Sequence, residues 1–221
     1  MNYSEPTLIV ISGPNGAGKS THIQTMLPEA FEGIDSFDRD NTRSEFELLL
    51  AKQGSDPSLI PKLSTQMMET RLVEQMQLAI SNKSHFVLET PLSHPDYWKY
   101  LDLFERNDYQ IQLNYLCLDK VSDCVARVGQ RVLEGGHYVP PHTINGVYEK
   151  NLEHIDQYQN TFKSIELYDG MQVPTLLVKI QDNHVVFASK SALKKVWLKN
   201  GLPSIALKVR AFLNQSPGIS K

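Results

Sequence analysis

Short apolar runs alternate along the chain with longer segments in which apolar residues recur at helical spacing. The first run, residues 8–12, is rich in β-branched side chains and stops at Gly13 and Pro14, so it predicts a buried strand. Further strands are predicted at residues 34–37, 86–88, 111–118 and 165–168, with an antiparallel hairpin at 175–180 and 185–188. Helices are predicted at residues 19–26, 42–51, 64–81, 95–106, 121–133, 141–158, 191–198 and 204–213.

Strands that alternate with helices of this length predict βαβ units, and therefore an α/β fold with a mostly parallel sheet flanked by helices. No repeat, charge block or clear linker interrupts the pattern. We expect a single domain over residues 1–221, with a core at about 5–170 and a C-terminal β-hairpin and helical tail at about 171–215. In the long helix, the residues expected on one buried face are Met67, Leu72, Met76 and Ile80.

The strongest local signal follows the first strand. Residues 13–20 read GPNGAGKS and match the G-x-x-x-x-G-K-[ST] motif in full, between a predicted strand and a predicted helix. Glycines allow the backbone N–H groups to point at phosphate oxygens, and the helix N-terminus adds partial positive charge. Lys19 is expected to reach the β- and γ-phosphates and to act as a catalytic residue, and the Ser20 hydroxyl is expected to bind Mg²⁺. The expected nucleotide-binding residues are Gly13, Pro14, Asn15, Gly16, Ala17, Gly18, Lys19, Ser20 and Thr21.

The motif indicates an ATP- or GTP-type ligand in a P-loop NTPase fold, and several classes share it. ABC transporter ATPases also need a Leu-Ser-Gly-Gly-Gln signature, and translational GTPases need Asn-Lys-x-Asp; this chain has neither. The small P-loop kinases remain, and they need a carboxylate to act on the acceptor hydroxyl and cations over the transferring phosphate.

Acidic residues follow two of the predicted strands. Asp40 is favoured as the general base, with Asp38 close behind, although either residue also suits the N-cap of the following helix. Glu89 ends the strand at 86–88 and is well placed for Mg²⁺-bound water or an acceptor hydroxyl, unless it is an ordinary solvated strand end. Asp119 ends another apolar strand, where a helix cap is the better interpretation than a Walker-B acid.

Arg127 and Arg131 are four residues apart and share one helix face just before Gly135 and Gly136. This is the arrangement of a kinase lid that closes over phosphates, but a solvated basic face fits equally well. His137 lies at the predicted lid hinge.

Aromatic residues and one further histidine have alternative interpretations. His22 is expected near the nucleotide. Tyr97, Trp98 and Tyr100 favour packing on the sheet, with a wall of the acceptor pocket as the alternative.

Composition and charge limit the kinds of partner that the protein is expected to bind. The chain has 22 basic and 25 acidic residues, a net charge of −3, and no basic stripe, so nucleic acid is an unlikely partner. Two cysteines cannot form a disulfide framework, and no apolar stretch has the length of a membrane span. The first six residues lack the basic region of a signal peptide, so we expect a cytoplasmic protein without a membrane partner.

The chain resembles the zeta-toxin-like P-loop kinases, also labelled predicted ABC-type ATPases, in four segments. These are Gly-Pro-Asn-Gly-Ala-Gly-Lys-Ser at 13–20, the aspartates at 38–40, Leu-Glu-Thr-Pro-Leu-Ser at 88–93, and the run at 127–140. The most specific part is Gly-Gly-His-Tyr-Val-Pro after an arginine-bearing helix. The resemblance covers about residues 8–160.

The resemblance implies an activity that composition does not give. Zeta-toxin enzymes transfer the γ-phosphate of ATP to the 3′-hydroxyl of UDP-N-acetylglucosamine, which starves cell-wall synthesis, and an antitoxin protein is the implied partner. By position, Lys19 and Ser20 would hold ATP and Mg²⁺, and Asp40 or Asp38 would be the base. Glu89 and Thr90 would contact the sugar nucleotide, with Arg127 and Arg131 in the lid.

Two positions depart from the family pattern. Pro91 stands where the family tends to carry a threonine or a similar small hydroxyl residue. A lid arginine is missing at the start of the helix after Val-Pro, where the nearest cation is Lys150, a point charge rather than a fork. A kinase for another nucleotide or sugar acceptor, and an ATP-dependent binding or switch module without phosphotransfer, therefore remain alternatives.

Overall fold

The structure, a computed structural model, describes residues 1–136 and 138–215, so His137 lies outside the described residues. Across the described part of the chain, seven strands form one sheet in the order β2-β3-β1-β4-β5-β6-β7. The strands are β1 Thr7–Ser12, β2 Phe37–Asp38, β3 Phe86–Glu89, β4 Gln110–Cys117, β5 Ser164–Asp169, β6 Thr175–Gln181 and β7 His184–Ala188.

Helices connect and flank these strands. They are α1 Lys19–Met26, α2 Arg39–Lys52, α3 Ile60–Asn82, α4 Pro95–Glu105, α5 Val121–Leu133, α6 Pro141–Gln157, α7 Val196–Gly201 and α8 Pro203–Gln215. Short 3₁₀ turns occur at Glu29–Phe31, Gln159–Thr161 and Ala192–Lys194. Within the described ranges, no helix is both long enough and apolar enough to cross a membrane.

The sheet is parallel from β2 to β5, and the β6–β7 hairpin joins β5 in antiparallel pairing. The prediction of a mostly parallel α/β sheet with a C-terminal hairpin is confirmed. Because β1 lies between β3 and β4, the loops that follow these strands meet at one edge of the sheet, which is where α/β proteins bind ligands.

The core explains why the first strand reads as a continuous apolar run. Leu8, Ile9, Val10 and Ile11 are all completely buried, because helices cover both faces of the parallel sheet. Leu8 and Val10 belong to one buried cluster, and Ile9 and Ile11 to another on the opposite face. The phosphate loop therefore follows directly from a strand that is buried along its whole length.

Several local predictions were wrong. The second strand is Phe37–Asp38 rather than 34–37. Helix α3 buries Ser64, Met68, Leu72, Met76 and Ala79, so Met67 and Ile80 lie at the edge of that face instead of within it.

Two predictions in the second half of the chain also need correction. Asp119 does not cap α5: the N-cap is Lys120, which has no side-chain cap bond, and Asp119 binds Lys195 instead. The helix predicted at 191–198 is a 3₁₀ turn followed by α7.

Candidate active site

The phosphate loop packs directly against the backbone of its neighbours. Gly13 has a φ of 150° and Gly16 a φ of 82°, conformations that favour glycine. A Cβ at Gly13 would lie 2.1 Å from the backbone oxygen of Leu116 in β4, and one at Gly16 would lie 2.5 Å from that of Cys124 in α5. The curl of the loop therefore requires glycine at both positions.

A cavity of about 500 Å³ lies beside this loop, and we call it the nucleotide cavity because predicted nucleotide-binding residues line it. Six of the nine predicted nucleotide-binding residues line it, namely Asn15, Gly16, Gly18, Lys19, Ser20 and Thr21. Pro14 and Ala17 are buried beneath the loop, where the Ala17 N–H donates to the Pro14 carbonyl at 3.2 Å. His22 lines the same cavity, and its proximity to the nucleotide stays a prediction.

Lys19 lies between the loop and the end of β3. Its Nζ donates to the carbonyl oxygens of Gly13 at 3.1 Å and Pro14 at 3.3 Å, and it lies 3.7 Å from Glu89 Oε1. The Lys19 side chain is 13% exposed. Its ammonium group is thus held at the mouth of the loop, where a nucleotide's terminal phosphates would lie.

Glu89 is a buried carboxylate at the centre of the site. Ser20 Oγ donates toward it, at 3.0 Å from Oε1 and 3.1 Å from Oε2, and lies 3.3 Å from Asp38 Oδ2. Burial raises the pKa of Glu89; the nearby Lys19 ammonium lowers it in part, while the carboxylates of Asp38 and Asp40 add to the increase. A hydroxyl and two carboxylates in contact form the hard oxygen donor set that Mg²⁺ prefers.

The two aspartates of residues 38–40 occupy different environments. Asp38 is the N-cap of α2, and its Oδ1 accepts the N–H of Asn41 at 3.0 Å. Asp40 lies in the first turn of α2, is 65% exposed, and its Oδ1 lies 3.8 Å from Nη2 of Arg43. Both side chains line the nucleotide cavity and also the cleft beside it.

That second cleft, of about 280 Å³, runs from the phosphate loop to the segment before α6. It is lined by Lys19, both aspartates, Glu89 and Thr90, with Pro91, Tyr97, Tyr138 and Val139 further along the wall. The predicted substrate-binding pair, Glu89 and Thr90, is therefore brought together with the predicted bases. The cleft has the position required of an acceptor site, because it adjoins the nucleotide cavity at Lys19.

Sequence reasoning missed two arginines in this cleft, Arg39 and Arg43. Arg39 binds Glu69 through Nη2 at 2.5 Å, donates from Nη1 to Tyr100 OH at 3.1 Å, and stacks 4.7 Å over the ring of Tyr97. The sequence did contain a signal for Arg43, because it lies three residues after Asp40 and so shares a helix face with it. It contained no signal for Arg39, because the partners of Arg39 are distant in sequence.

The aromatic residues of α4 were predicted either to pack on the sheet or to form a wall of the acceptor pocket, and they differ in their observed positions. Tyr97 lines the cleft, and Tyr100 supports it through Arg39 and Glu69. Trp98 packs instead against Tyr158 and Phe162, with ring centroids at 5.1 Å and 5.7 Å.

Arg127 and Arg131, the two arginines predicted to belong to a lid, both line the nucleotide cavity. The guanidinium of Arg127 donates to the carbonyl oxygens of Gly170 at 2.9 Å and Met171 at 2.7 Å, so it is anchored rather than solvated. Arg131 lies one turn further along α5. Lys150 lines neither cavity; it binds Glu153 at 2.6 Å on α6.

Comparison with known proteins places this geometry in a family. A model of the family described as Zeta toxin matches residues 1–190. The chain belongs to the zeta toxin family. No curated protein matches the chain in sequence.

Solved structures of low sequence identity share the fold of this zeta toxin family member. The AvrRxo1-ORF1:AvrRxo1-ORF2 structure with sulphate ions matches with a TM-score of 0.65 and 15% identity, over 97% of this chain and 77% of that one. The same pair with ATP gives a TM-score of 0.62 at 15% identity, over 97% and 77%. A structure from the PezAT chromosomal toxin–antitoxin system of Streptococcus pneumoniae gives 0.60 at 16% identity, over 96% and 88%.

Family membership, the P-loop and the fold agree on the class of chemistry. The chain is a P-loop phosphotransferase, an ATP-dependent kinase. The resemblance stated from the sequence motifs is confirmed, whereas the roles of individual site residues and the identity of the acceptor stay predictions.

Proposed function

We propose that this kinase transfers the γ-phosphate of ATP to the 3′-hydroxyl of UDP-N-acetylglucosamine. Membership of the zeta toxin family supports the substrate class. The observation that carries the proposal is the shared boundary of the two cavities, since Lys19, Asp38, Asp40 and Glu89 line both. A hydroxyl in the cleft of about 280 Å³ would meet a phosphate held by the loop at these side chains.

The residues at the loop fit ATP with Mg²⁺. The loop N–H groups and Lys19 would hold the β- and γ-phosphates, and Arg127 and Arg131 would add positive charge beside them. Ser20 Oγ, which lies within 3.3 Å of carboxylate oxygens from Asp38 and Glu89, would hold the metal together with these oxygens. Mg²⁺ supplies neutralisation of the charge that develops on the phosphate oxygens.

Asp40 is the better general base of the two aspartates. Asp38 is engaged as the cap of α2 and lies against Ser20, so its oxygens are already committed. Asp40 has an exposed carboxylate that faces both cavities, and its neighbour Arg43 is 3.8 Å away. An acceptor hydroxyl in the cleft would therefore give its proton to Asp40 as the new O–P bond forms, while the bond between the γ-phosphorus and the β–γ bridging oxygen breaks and ADP leaves.

Glu89 and Thr90 would orient the acceptor from the end of β3. Both are buried, with exposures of 7% and 1%, and both line the cleft. Rigid placement of these groups favours one orientation of the hydroxyl relative to the phosphate.

An antitoxin is the proposed protein partner. The PezAT neighbour is described as part of a toxin–antitoxin system, and the AvrRxo1 neighbours are two-protein pairs. Co-expression with a candidate antitoxin should restore growth of cells that the kinase arrests, and growth arrest that persists in the presence of a bound partner would contradict this role.

The test is phosphate transfer from ATP and Mg²⁺ to UDP-N-acetylglucosamine, followed by mass spectrometry, with Lys19→Ala as the blank. The proposal expects a product heavier by one phosphate that is absent from the blank. It also expects that Asp40→Asn binds ATP normally but loses at least about a hundredfold in turnover, while Asp38→Asn loses less. Full turnover in Asp40→Asn would refute the assignment of the base.

A different nucleotide or sugar acceptor is the second candidate. Pro91 lines the cleft at the position where a hydroxyl side chain is the family tendency, so one hydrogen-bonding group for the acceptor is missing there. ATP consumption without the expected product would favour this candidate, and a metabolite extract would then supply the acceptors to screen. ATP binding without any transfer would favour a binding or switch module.

A further inference from the structure

Lys195, from the C-terminal part of the chain, joins two aspartates at the ligand edge of the sheet. It lies between the last 3₁₀ turn and α7, and its Nζ is 2.6 Å from Asp169 Oδ2 and 3.0 Å from Asp119 Oδ2. Asp119 follows β4 and Asp169 ends β5. The Lys195 side chain is 16% exposed, so it is well shielded from water. The three side chains form a clamp across the ends of two strands.

The clamp holds the segment that anchors Arg127. The second oxygen of Asp169, Oδ1, accepts the N–H of Met171 at 3.2 Å, and the Gly170 N–H donates to the Cys117 carbonyl at 2.9 Å. The carbonyls of Gly170 and Met171 then accept the guanidinium of Arg127. A continuous set of contacts thus runs from Lys195 through Asp169 to an arginine of the nucleotide cavity.

The same segment also touches the phosphate loop itself. A Cβ at Gly170 would lie 3.0 Å from the carbonyl oxygen of Ala17, so the two backbones are in close contact. A Cβ at Gly18 would lie 3.9 Å from Nη1 of Arg127. Displacement of the segment after β5 would therefore move both the arginine and the wall of the loop.

We propose that Lys195 is a positioning residue for nucleotide binding, which fixes Arg127 over the phosphate loop by clamping Asp119 and Asp169. This gives the C-terminal addition a part in the kinase site, although Lys195 does not touch the nucleotide. The inference rests on the proposed contact of Arg127 with phosphate, and it is independent of the acceptor.

The charge state of the clamp suits this role. Burial lowers the pKa of Lys195, but the hydrogen bonds and charges of Asp169 and Asp119 outweigh it and raise the pKa overall. The ammonium is therefore kept charged, and loss of the lysine would leave two carboxylates at the strand ends without their shared cation.

The test measures ATP binding by titration calorimetry in the full-length protein with Lys195→Met, Lys195→Arg, Arg127→Ala and the double variant Lys195→Met/Arg127→Ala. Lys179→Met is the matched control, because it removes another partly buried lysine–carboxylate pair, with Glu166 at 2.7 Å, from β5 and β6. Thermal unfolding of every variant separates a local effect from loss of the fold.

We expect Lys195→Met to weaken ATP binding about tenfold, an effect of roughly 1.4 kcal/mol, with Lys195→Arg close to wild type. Lys179→Met should lose stability without weakening ATP binding. The double variant should bind ATP much less than tenfold more weakly than Arg127→Ala alone, because most of the effect of Lys195→Met passes through Arg127.

Two results would overturn the inference while leaving the role of Arg127 intact. One is wild-type ATP affinity in Lys195→Met when Arg127→Ala binds weakly; the other is full additivity in the double variant. Wild-type affinity in Arg127→Ala would instead remove the proposed phosphate contact of Arg127, and this inference with it.

Discussion

Replacement of Gly16 by alanine tests how tightly the phosphate loop is fixed against α5. The φ of 82° at Gly16 costs an ordinary residue about 1–2 kcal/mol. An alanine Cβ would lie 2.5 Å from the carbonyl oxygen of Cys124 and 3.2 Å from Cγ2 of Val128. Because Cβ atoms essentially never approach closer than 3.0 Å, loop and helix must separate by at least about 0.5 Å.

The separation lowers both the stability of the fold and the affinity for ATP. A backbone shift of this kind costs about 1–3 kcal/mol, so with the φ strain the free energy of unfolding falls by roughly 2–5 kcal/mol. For a chain of 221 residues this lowers the Tm by roughly 4–20 °C. Misplaced N–H groups should weaken ATP binding by about ten- to a hundredfold.

Calorimetric ATP titration and thermal unfolding measure both effects, with Gly129→Ala as the matched control. Gly129 lies within α5, and no atom outside its own helix backbone lies within 4 Å of a Cβ there. The control should gain about 0.5–1 kcal/mol of stability and keep its ATP affinity, because alanine is the better helix former. An unchanged Tm and wild-type ATP affinity in Gly16→Ala would refute the closed packing of the loop.

Further predictions concern a buried acid and a helix cap. Burial raises the pKa of Glu89, so this group stabilises the fold at low pH and that contribution is lost as pH rises through the raised pKa. Glu89→Gln should therefore be more stable than wild type at neutral pH, and this difference in stability should vanish below the ordinary pKa of 4.5. The variant should also lose phosphate transfer. A difference in denaturant midpoint between variant and wild type that does not vary with pH would contradict this reasoning. Asp156 accepts hydrogen bonds from the N–H groups of Ser204 and Ile205 at 3.1 Å each, at the start of α8. Asp156→Ala should therefore lower the free energy of unfolding by about 1 kcal/mol, and with it the Tm, without changing the ATP affinity. An unchanged Tm would show that the cap contributes nothing to stability.

Local patterns predicted the part of the fold that carries the phosphate loop. The apolar run of β1, the glycine motif and the following helix are adjacent in sequence, and each is determined by its own residues. Helix α5 was predicted with its observed bounds, Val121–Leu133, because Gly135 and Gly136 mark its end.

Long-range contacts escaped prediction because no local pattern records them. Asp119 looked like a helix cap, but it binds Lys195, a residue far along the chain. Arg39 took no part in any motif, and its partners Glu69 and Tyr100 come from two other helices. The roles of such residues depend on how the helices pack in the folded protein, which local sequence patterns do not record.

The different environments of Asp38 and Asp40 depend on where a very short strand ends. Strand β2 pairs with β3 through Phe37 and Asp38 alone, and the register sets Asp38 opposite Glu89. The register of β3 with β1 in turn sets Glu89 opposite Ile11, beside the loop that leads to Ser20. These pairings bring Asp38 to Ser20 as a consequence of the sheet itself.

Asp40 comes just after that pairing ends, where the chain has already turned into α2. Its carboxylate is released from the sheet and projects from the first helical turn, 65% exposed, toward the acceptor cleft. A shift of two residues in the end of β2 would be needed to bring Asp40 to the place of Asp38, since residues two apart in a strand face the same side. The sequence alone favoured Asp40 as the base by a narrow margin, and the β2–β3 register is the physical reason why the two acids lie in different environments.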